Sequence, residues 1–207
     1  MANTTEGASL LARALDADPR VEEDPAADRI LDAALEQFVR FGLRRSTVDD
    51  VAKRAGVSRV TVYRRFGNKD GLVSACLMRE SRRFLDELDA AVGGLPRMED
   101  RVVEGFVVSL RAMQSHPLMG GLLRLEPEVV LPFLTTEGGA VLVAMREYLV
   151  RHFRETSDVT ADPGPVAELM VRVVVSFLLN PESCIEVTDD DQARTFARRY
   201  LAPLLRQ

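Results

Sequence analysis

Helix restarts crowd into the stretch from Ser46 to Lys69, and a strand-based fold has no place for that pattern. Ser46 and Thr47 stand three residues ahead of Asp49 and Asp50, the arrangement that caps a helix start. Val48, Val51, Ala52 and Ala55 then form one apolar stripe, which "AGVS" ends. Ser58 can cap a second short segment, "RVTVYRRF", and Gly67 with Asn68 closes it and opens a third. Two short helices joined by a Gly-containing turn describe a helix-turn-helix. Gly56 sits where the chain must reverse, because only glycine visits left-handed backbone angles at little steric cost. Val57 can plug the angle between the two helices.

The remainder has the same period. Ile30, Leu31, Ala34, Leu35, Phe38 and Phe41 recur at helical spacing, with Gly42 as a stop. A long helix is predicted from about Lys69 to Val92, ended by "GGLP". Breaker clusters at "HPLMGG", "LEPEVVLP", "LTTEGG", "TADPGP" and "LLNPES" leave helices near 97–115, 137–155, 163–180 and 189–206. One or two shorter pieces lie between 117 and 134. The run "VRVVVSFLL" is β-branched and taken alone could be a strand. It lies within an unbroken stretch from Val166 to Leu179, too long for a usual strand, and is assigned to a buried helix. The fold class is therefore all-α. Residues 1–25 are expected to be a solvated leader with one short amphipathic piece, "ASLLARAL". Residues 26–72 form the helix-turn-helix domain and 73–207 a larger helical domain.

Composition excludes several functions. No apolar run approaches the roughly 18 to 20 residues a membrane span needs. The first 25 residues lack a basic start followed by an apolar core, so no secretory signal is expected. Cys76 and Cys184 have no pairing pattern and fit idle thiols in a reducing cytoplasm. His116 and His152 are the only histidines, without a metal-spaced cluster, nucleophile elbow or phosphate loop beside them. No metal, no cofactor and no enzymatic activity are expected.

The net charge of -5 conceals an asymmetry. From Ala26 to Ala75 there are 10 basic and 6 acidic residues, and from Arg44 to Lys69 eight basic residues face only Asp49 and Asp50. A basic module on an acidic body fits a nucleic-acid partner, and also an acidic protein partner. On a helical wheel Val62 and Phe66 share the side facing Val51, Ala52 and Phe38. Val60 and Arg64 point outward, with Thr61 and Tyr63 on the flanks and Arg59 and Arg65 nearer the edges. Arginine can pair in a fork with guanine O6 and N7, and Val60 can meet a thymine methyl. The helix starts at Thr47, Ser58 and Lys69 offer free N–H groups suited to phosphate.

The segment "RILDAALEQFVRFGLRRSTVDDVAKRAGVSRVTVYRRFGNKDGLVSACL", Arg29 to Leu77, resembles the N-terminal domain of the TetR family of bacterial regulators. The matching features are "A..F..FG", then "ST..DVA..AGVS..T.Y..F..K..L", in a chain of similar total length. The resemblance implies an all-helical homodimer that binds a roughly palindromic double-stranded DNA operator and responds to a small-molecule effector. It carries Arg59, Val60, Thr61, Tyr63 and Arg65 to the recognition helix, and Thr47 and Lys69 to phosphate contacts. Arg64 falls where relatives less consistently touch DNA, although the wheel points it outward.

The resemblance also implies an effector cavity in the middle of the body. Met113 and His116, then Leu122, Leu125 and Phe133, then Met145, Tyr148 and His152 are its candidate lining; the last three share one helical face. A mostly apolar wall with a few polar groups suits an apolar ligand. The last two helices are implied to pair two chains, with Val166, Met170, Val173, Phe177, Phe196, Tyr200 and Leu204 at the interface. Those same side chains could instead be intramolecular core. A repressor released by its effector is the leading reading; an activator of the same fold, or a helical interaction module with a basic patch, are the alternatives.

Overall fold

Asp24 starts the first helix: its carboxylate accepts hydrogen bonds from the N–H groups of Ala26 at 3.0 Å and Ala27 at 3.2 Å, with Pro25 in the first turn. The computed structural model describes residues 24–115, 122–123, 125–136, 139–180 and 182–206. The expected leader lies outside the described residues apart from Asp24 and Pro25. The regular structure among the described residues is helical. Its elements are α1 (Pro25–Arg45), α2 (Val48–Ala55), α3 (Arg59–Phe66), α4 (Lys69–Val92), α5 (Met98–Ser115), α6 (Pro127–Leu134), α7 (Gly139–Arg154), α8 (Pro163–Leu179) and α9 (Asp190–Phe196). "VRVVVSFLL" is thus helix, as its uninterrupted context required.

The chain forms two compact units. Among the described residues, one unit joins those from Asp24 to Arg82 with those from Leu122 to Thr135, and the other joins those from Arg83 to Ser115 with those from Thr136 to Arg206. The division falls inside α4. An isolated helix-turn-helix offers little apolar surface, and here its core takes in Leu72 and Cys76 of α4 and Leu122 from the later segment.

In the first unit Ile30, Ala34 and Phe38 of α1 meet Val51 and Ala52 of α2 and Val62 of α3, each 3% exposed or less. Burying one such aliphatic or aromatic side chain contributes roughly 1.5–3 kcal/mol. The Val62 and Phe66 face predicted from the wheel is the buried one. Gly56 closes α2 at φ 67° and ψ 32°; Val57 N–H reaches Ala52 O at 3.0 Å and Gly56 N–H reaches Lys53 O at 3.3 Å, a Schellman closure. Gly42 differs from expectation. The backbone breaks there at φ 79° but resumes one more helical turn to Arg45. Ser46 does not cap α2 either: it is buried and its hydroxyl donates back to Gly42 O at 2.6 Å, leaving Thr47 as the cap.

The second unit packs α5, α7, α8 and the C-terminal segment around Val103, Phe106, Val107, Phe153, Ala167 and Met170. Phe106 lies against Phe177 and Phe196, with ring centroids 6.2 and 5.4 Å away. The final helix is not uniform as predicted. After α9 comes a π-helical turn, Ala197–Leu201, then a 3-10 turn, Ala202–Arg206. The carbonyl of Leu205 accepts hydrogen bonds from Thr160 and Ala161 N–H, which anchors that end.

Candidate nucleic-acid interface

The orientation of α3 follows from what holds it underneath. Val62 is 1% exposed in the first core, Phe66 packs partly against it, and the opposite side carries Val60, 73% exposed. Arg59, Tyr63, Arg64 and Arg65 are exposed, and Thr61 half-buried. The hydroxyl of Ser58 starts the helix, accepting from Thr61 N–H at 3.1 Å, and lies 2.8 Å from the Thr61 hydroxyl. Those two hydroxyls therefore serve the cap first.

The arginines of α3 are not equivalent. Arg59 pairs with Asp49 of α2 at 3.0 Å, donates to the Tyr63 hydroxyl at 3.2 Å and lies over the Tyr63 ring. The Tyr63 hydrogen bond and Asp49 together raise the Arg59 pKa. Arg65 pairs with Asp24, the cap of α1, so its charge is engaged on its own domain. Arg64 is exposed and has no ion-pair partner among the described residues. That exposure agrees with the outward direction the wheel gives it.

The flanking positions are ordered by local bonds. Thr47 accepts from Asp50 N–H at 3.2 Å while Asp50 accepts from Thr47 N–H at 3.0 Å, a reciprocal capping box. These bonds hold the Asp50 carboxyl below its ordinary range. Lys69 begins α4 and its ammonium donates to Arg44 O at 3.4 Å, which brings it to the end of α1. Arg54, one of the basic residues of this stretch, is turned to α1, where it bonds Gln37 and Glu36.

This arrangement matches known proteins. The family model described as "Bacterial regulatory proteins, tetR family" matches residues 30–76. The HTH-type transcriptional regulator TtgW of Pseudomonas putida, itself uncharacterised, is 37% identical over 95 residues, 45% of this chain and 69% of that protein. The chain belongs to the TetR family. It is similar to the HTH-type transcriptional regulator AlkX of Mycobacterium tuberculosis, 29% identical over 83% of this chain and 81% of that one. It is also similar in structure to the TetR family repressor AlkX from a Dietzia strain, at 27% identity and a TM-score of 0.61, covering 86% of this chain and 94% of the other. Some other curated relatives are matched over less than half of their own length, 38% for YvkB of Bacillus subtilis. The protein is a TetR-family DNA-binding transcriptional regulator.

The TetR-family body carries the remaining candidates, and the two units divide them. Leu122, 2% exposed, belongs to the core of the first unit, and Leu125 is 50% exposed. His116 and the side chains of Met113 and Phe133 lie outside the described residues. In the second unit Met145 is half-buried, while Tyr148 and His152 meet on Asp89 of α4. The Tyr148 hydroxyl donates to the Asp89 carboxylate, His152 Nε2 lies 3.4 Å from it, and the two rings are 4.4 Å apart. Burial and Asp89 push the Tyr148 hydroxyl strongly upward, so it stays a donor. A groove of about 660 Å³ along α7 and α8 is charged, with Arg146, Arg154, Glu168 and Arg172 on its walls, and takes in none of these candidates.

The residues expected to pair two TetR-family chains are largely turned inward. Met170 is 6% exposed, and Val166, Val173, Phe177, Phe196 and Leu204 pack on the same core. On α8 the exposed stripe is Leu169, Arg172, Ser176 and Leu179, at i, i+3, i+7 and i+10. Tyr200, 53% exposed, does lie outward. A helix apolar on nearly every side gives no sign in its sequence of which stripe its own core uses.

Proposed function

We propose that this regulator is a cytoplasmic repressor that binds a roughly palindromic duplex operator as a homodimer and leaves it when a small, largely apolar molecule binds. The orientation of α3 carries the reading: Val62 is held beneath while Val60 and Arg64 stand outward. Such a helix enters a major groove with its exposed face on base edges. Arg59, Val60, Tyr63 and Arg64 form the reading face. Thr47, Ser58, Thr61, Arg65 and Lys69 sit around it at helix ends and edges, where backbone contacts position a duplex without reading it. No catalytic step is assigned to the chain.

One short helix reads few bases, so two copies must be held at a fixed spacing. The exposed apolar side chains Leu169 and Leu179 on α8 and Tyr200 on the π-helical turn suit a face between two copies. For the effector, Met145, Tyr148 and His152 of α7 remain the contact candidates, now joined by Asp89. The Dietzia AlkX repressor is described as implicated in biodegradation of n-alkanes, which supports an aliphatic effector here.

The experiment is fluorescence anisotropy with DNA from upstream of the regulator's own gene. Preferential binding over a random-sequence duplex, lost in Arg64→Ala and Tyr63→Ala and relieved by adding decanoate or a similar aliphatic probe, is the expected result. Equal affinity for both duplexes at physiological salt overturns it. A transcription assay on the same DNA reads the sign of regulation.

A further inference from the structure

Asp49 stands on α2 and Arg59 on α3, and their side chains meet at 3.0 Å on the face that α3 presents outward. The same guanidinium donates to the Tyr63 hydroxyl at 3.2 Å and lies over that ring at 5.1 Å. Both charged side chains are more than half exposed, at 59% and 58%. An exposed pair of this kind adds little to folding stability. Its consequence falls on what Arg59 is able to bind.

We infer that Asp49 is a specificity-determining positioning residue: it keeps Arg59 from serving as a general phosphate ligand and reserves it for a base edge. The inference rests on the DNA-binding reading above. A cation strengthens non-specific binding by displacing counterions condensed on the phosphates. Arg59 already carries its counter-charge in Asp49, so the pair displaces none, and the carboxylate is itself repelled by the backbone. A guanine edge acts differently, since O6 and N7 accept a forked pair of N–H groups without carrying net charge. A guanidinium has more N–H donors than the Asp49 and Tyr63 contacts use. Arg59 can therefore offer a fork while its two partners hold the plane in place. Arg64, exposed and without an ion-pair partner among the described residues, keeps its full charge toward the duplex.

The test uses the full chain and two labelled duplexes, one of random sequence and one selected from a random pool by the wild-type protein. Asp49→Asn preserves size and the start of α2 while removing the charge. Affinity for the random duplex is expected to rise about three- to tenfold, with the log–log salt slope steeper by about one. Affinity for the selected duplex changes less, so the ratio between the two falls, and Asp49→Glu restores it. In an Arg59→Ala background Asp49→Asn leaves the ratio unchanged, because the acid acts through the arginine. An equal gain with and without Arg59 makes Asp49 a mere repeller and overturns the inference. So does a chain that selects a duplex yet keeps its ratio in Asp49→Asn. A wild-type chain that selects no duplex overturns the DNA-binding reading and this inference with it.

Discussion

The carboxylate of Glu126 accepts hydrogen bonds from the backbone N–H groups of Leu43 at 2.7 Å and Arg44 at 2.9 Å. The two partners are more than eighty residues apart in the chain. Gly42 breaks α1 with a positive φ, and the turn that follows begins with unsatisfied N–H groups, as any helix start does. Glu126, 7% exposed, supplies the anion that caps it. An acid from the segment before α6 is thereby built into the end of the first helix.

Glu126→Ala leaves those two N–H groups without their acceptor and is expected to cost about 1–3 kcal/mol. Gly42→Ala is worse placed, since its Cβ would stand 2.7 Å from Glu126 Oε1 at φ 79°. Both variants should lower the thermal midpoint, Gly42→Ala by more. A midpoint unchanged in Glu126→Ala would mean that the cap contributes nothing.

Arg64→Ala should weaken operator binding more than Arg65→Ala. Arg65 is engaged by Asp24, whereas Arg64 has no ion-pair partner among the described residues. Losing a cation that has no counter-charge on the protein also lowers the salt slope by about one. Anisotropy titrations at a series of salt concentrations measure both quantities, and an equal loss in the two variants would contradict the assignment.

Leu169 and Met170 are neighbours in sequence with opposite tasks. Met170→Ala opens a cavity in the second core and should cost about 2–5 kcal/mol in urea unfolding. Leu169→Asp touches an exposed position, and should shift the assembly toward monomer by light scattering without a comparable loss of monomer stability. A fully dimeric Leu169→Asp variant would remove this side of α8 from the interface.

Stability at low pH should depend on Glu104. Arg194 bonds it at 2.7 and 3.1 Å, and this holds the Glu104 carboxyl below its ordinary value. The carboxyl is thus more acidic folded than unfolded. Its contribution is complete above the unfolded carboxyl range, near about pH 4–5, and is lost as pH falls through the lower folded value. Glu104→Gln should flatten the acid limb of a stability–pH curve while costing about 1 kcal/mol near neutrality. A limb of unchanged steepness would show that other carboxyls govern it.

Local chemistry was legible along the chain. The caps at Thr47, Ser58 and Asn68, the left-handed Gly56, the buried Val62 and the outward Val60 and Arg64 all follow from spacing within one or two turns. Hydrogen bonding to the next few residues and the helical repeat act over just that range. α8 was recognised as helix for the same reason.

Partners brought together by folding were not legible. Nothing in the spacing of Asp49 and Arg59, of Asp24 and Arg65, or of Glu126 and Leu43 marks them as neighbours, because each pair lies on different elements. Those contacts decide which arginines are engaged and how the first helix ends. The inward face of α8 was hidden for a related reason: apolar residues on nearly every side satisfy the same period, and only packing against Phe106 and Phe196 selects one. Sequence alone determined the elements and the outward face of α3. Tertiary structure decided which of its charges stay available, since a charge is neutralised by whatever lies within a few ångströms of it in space.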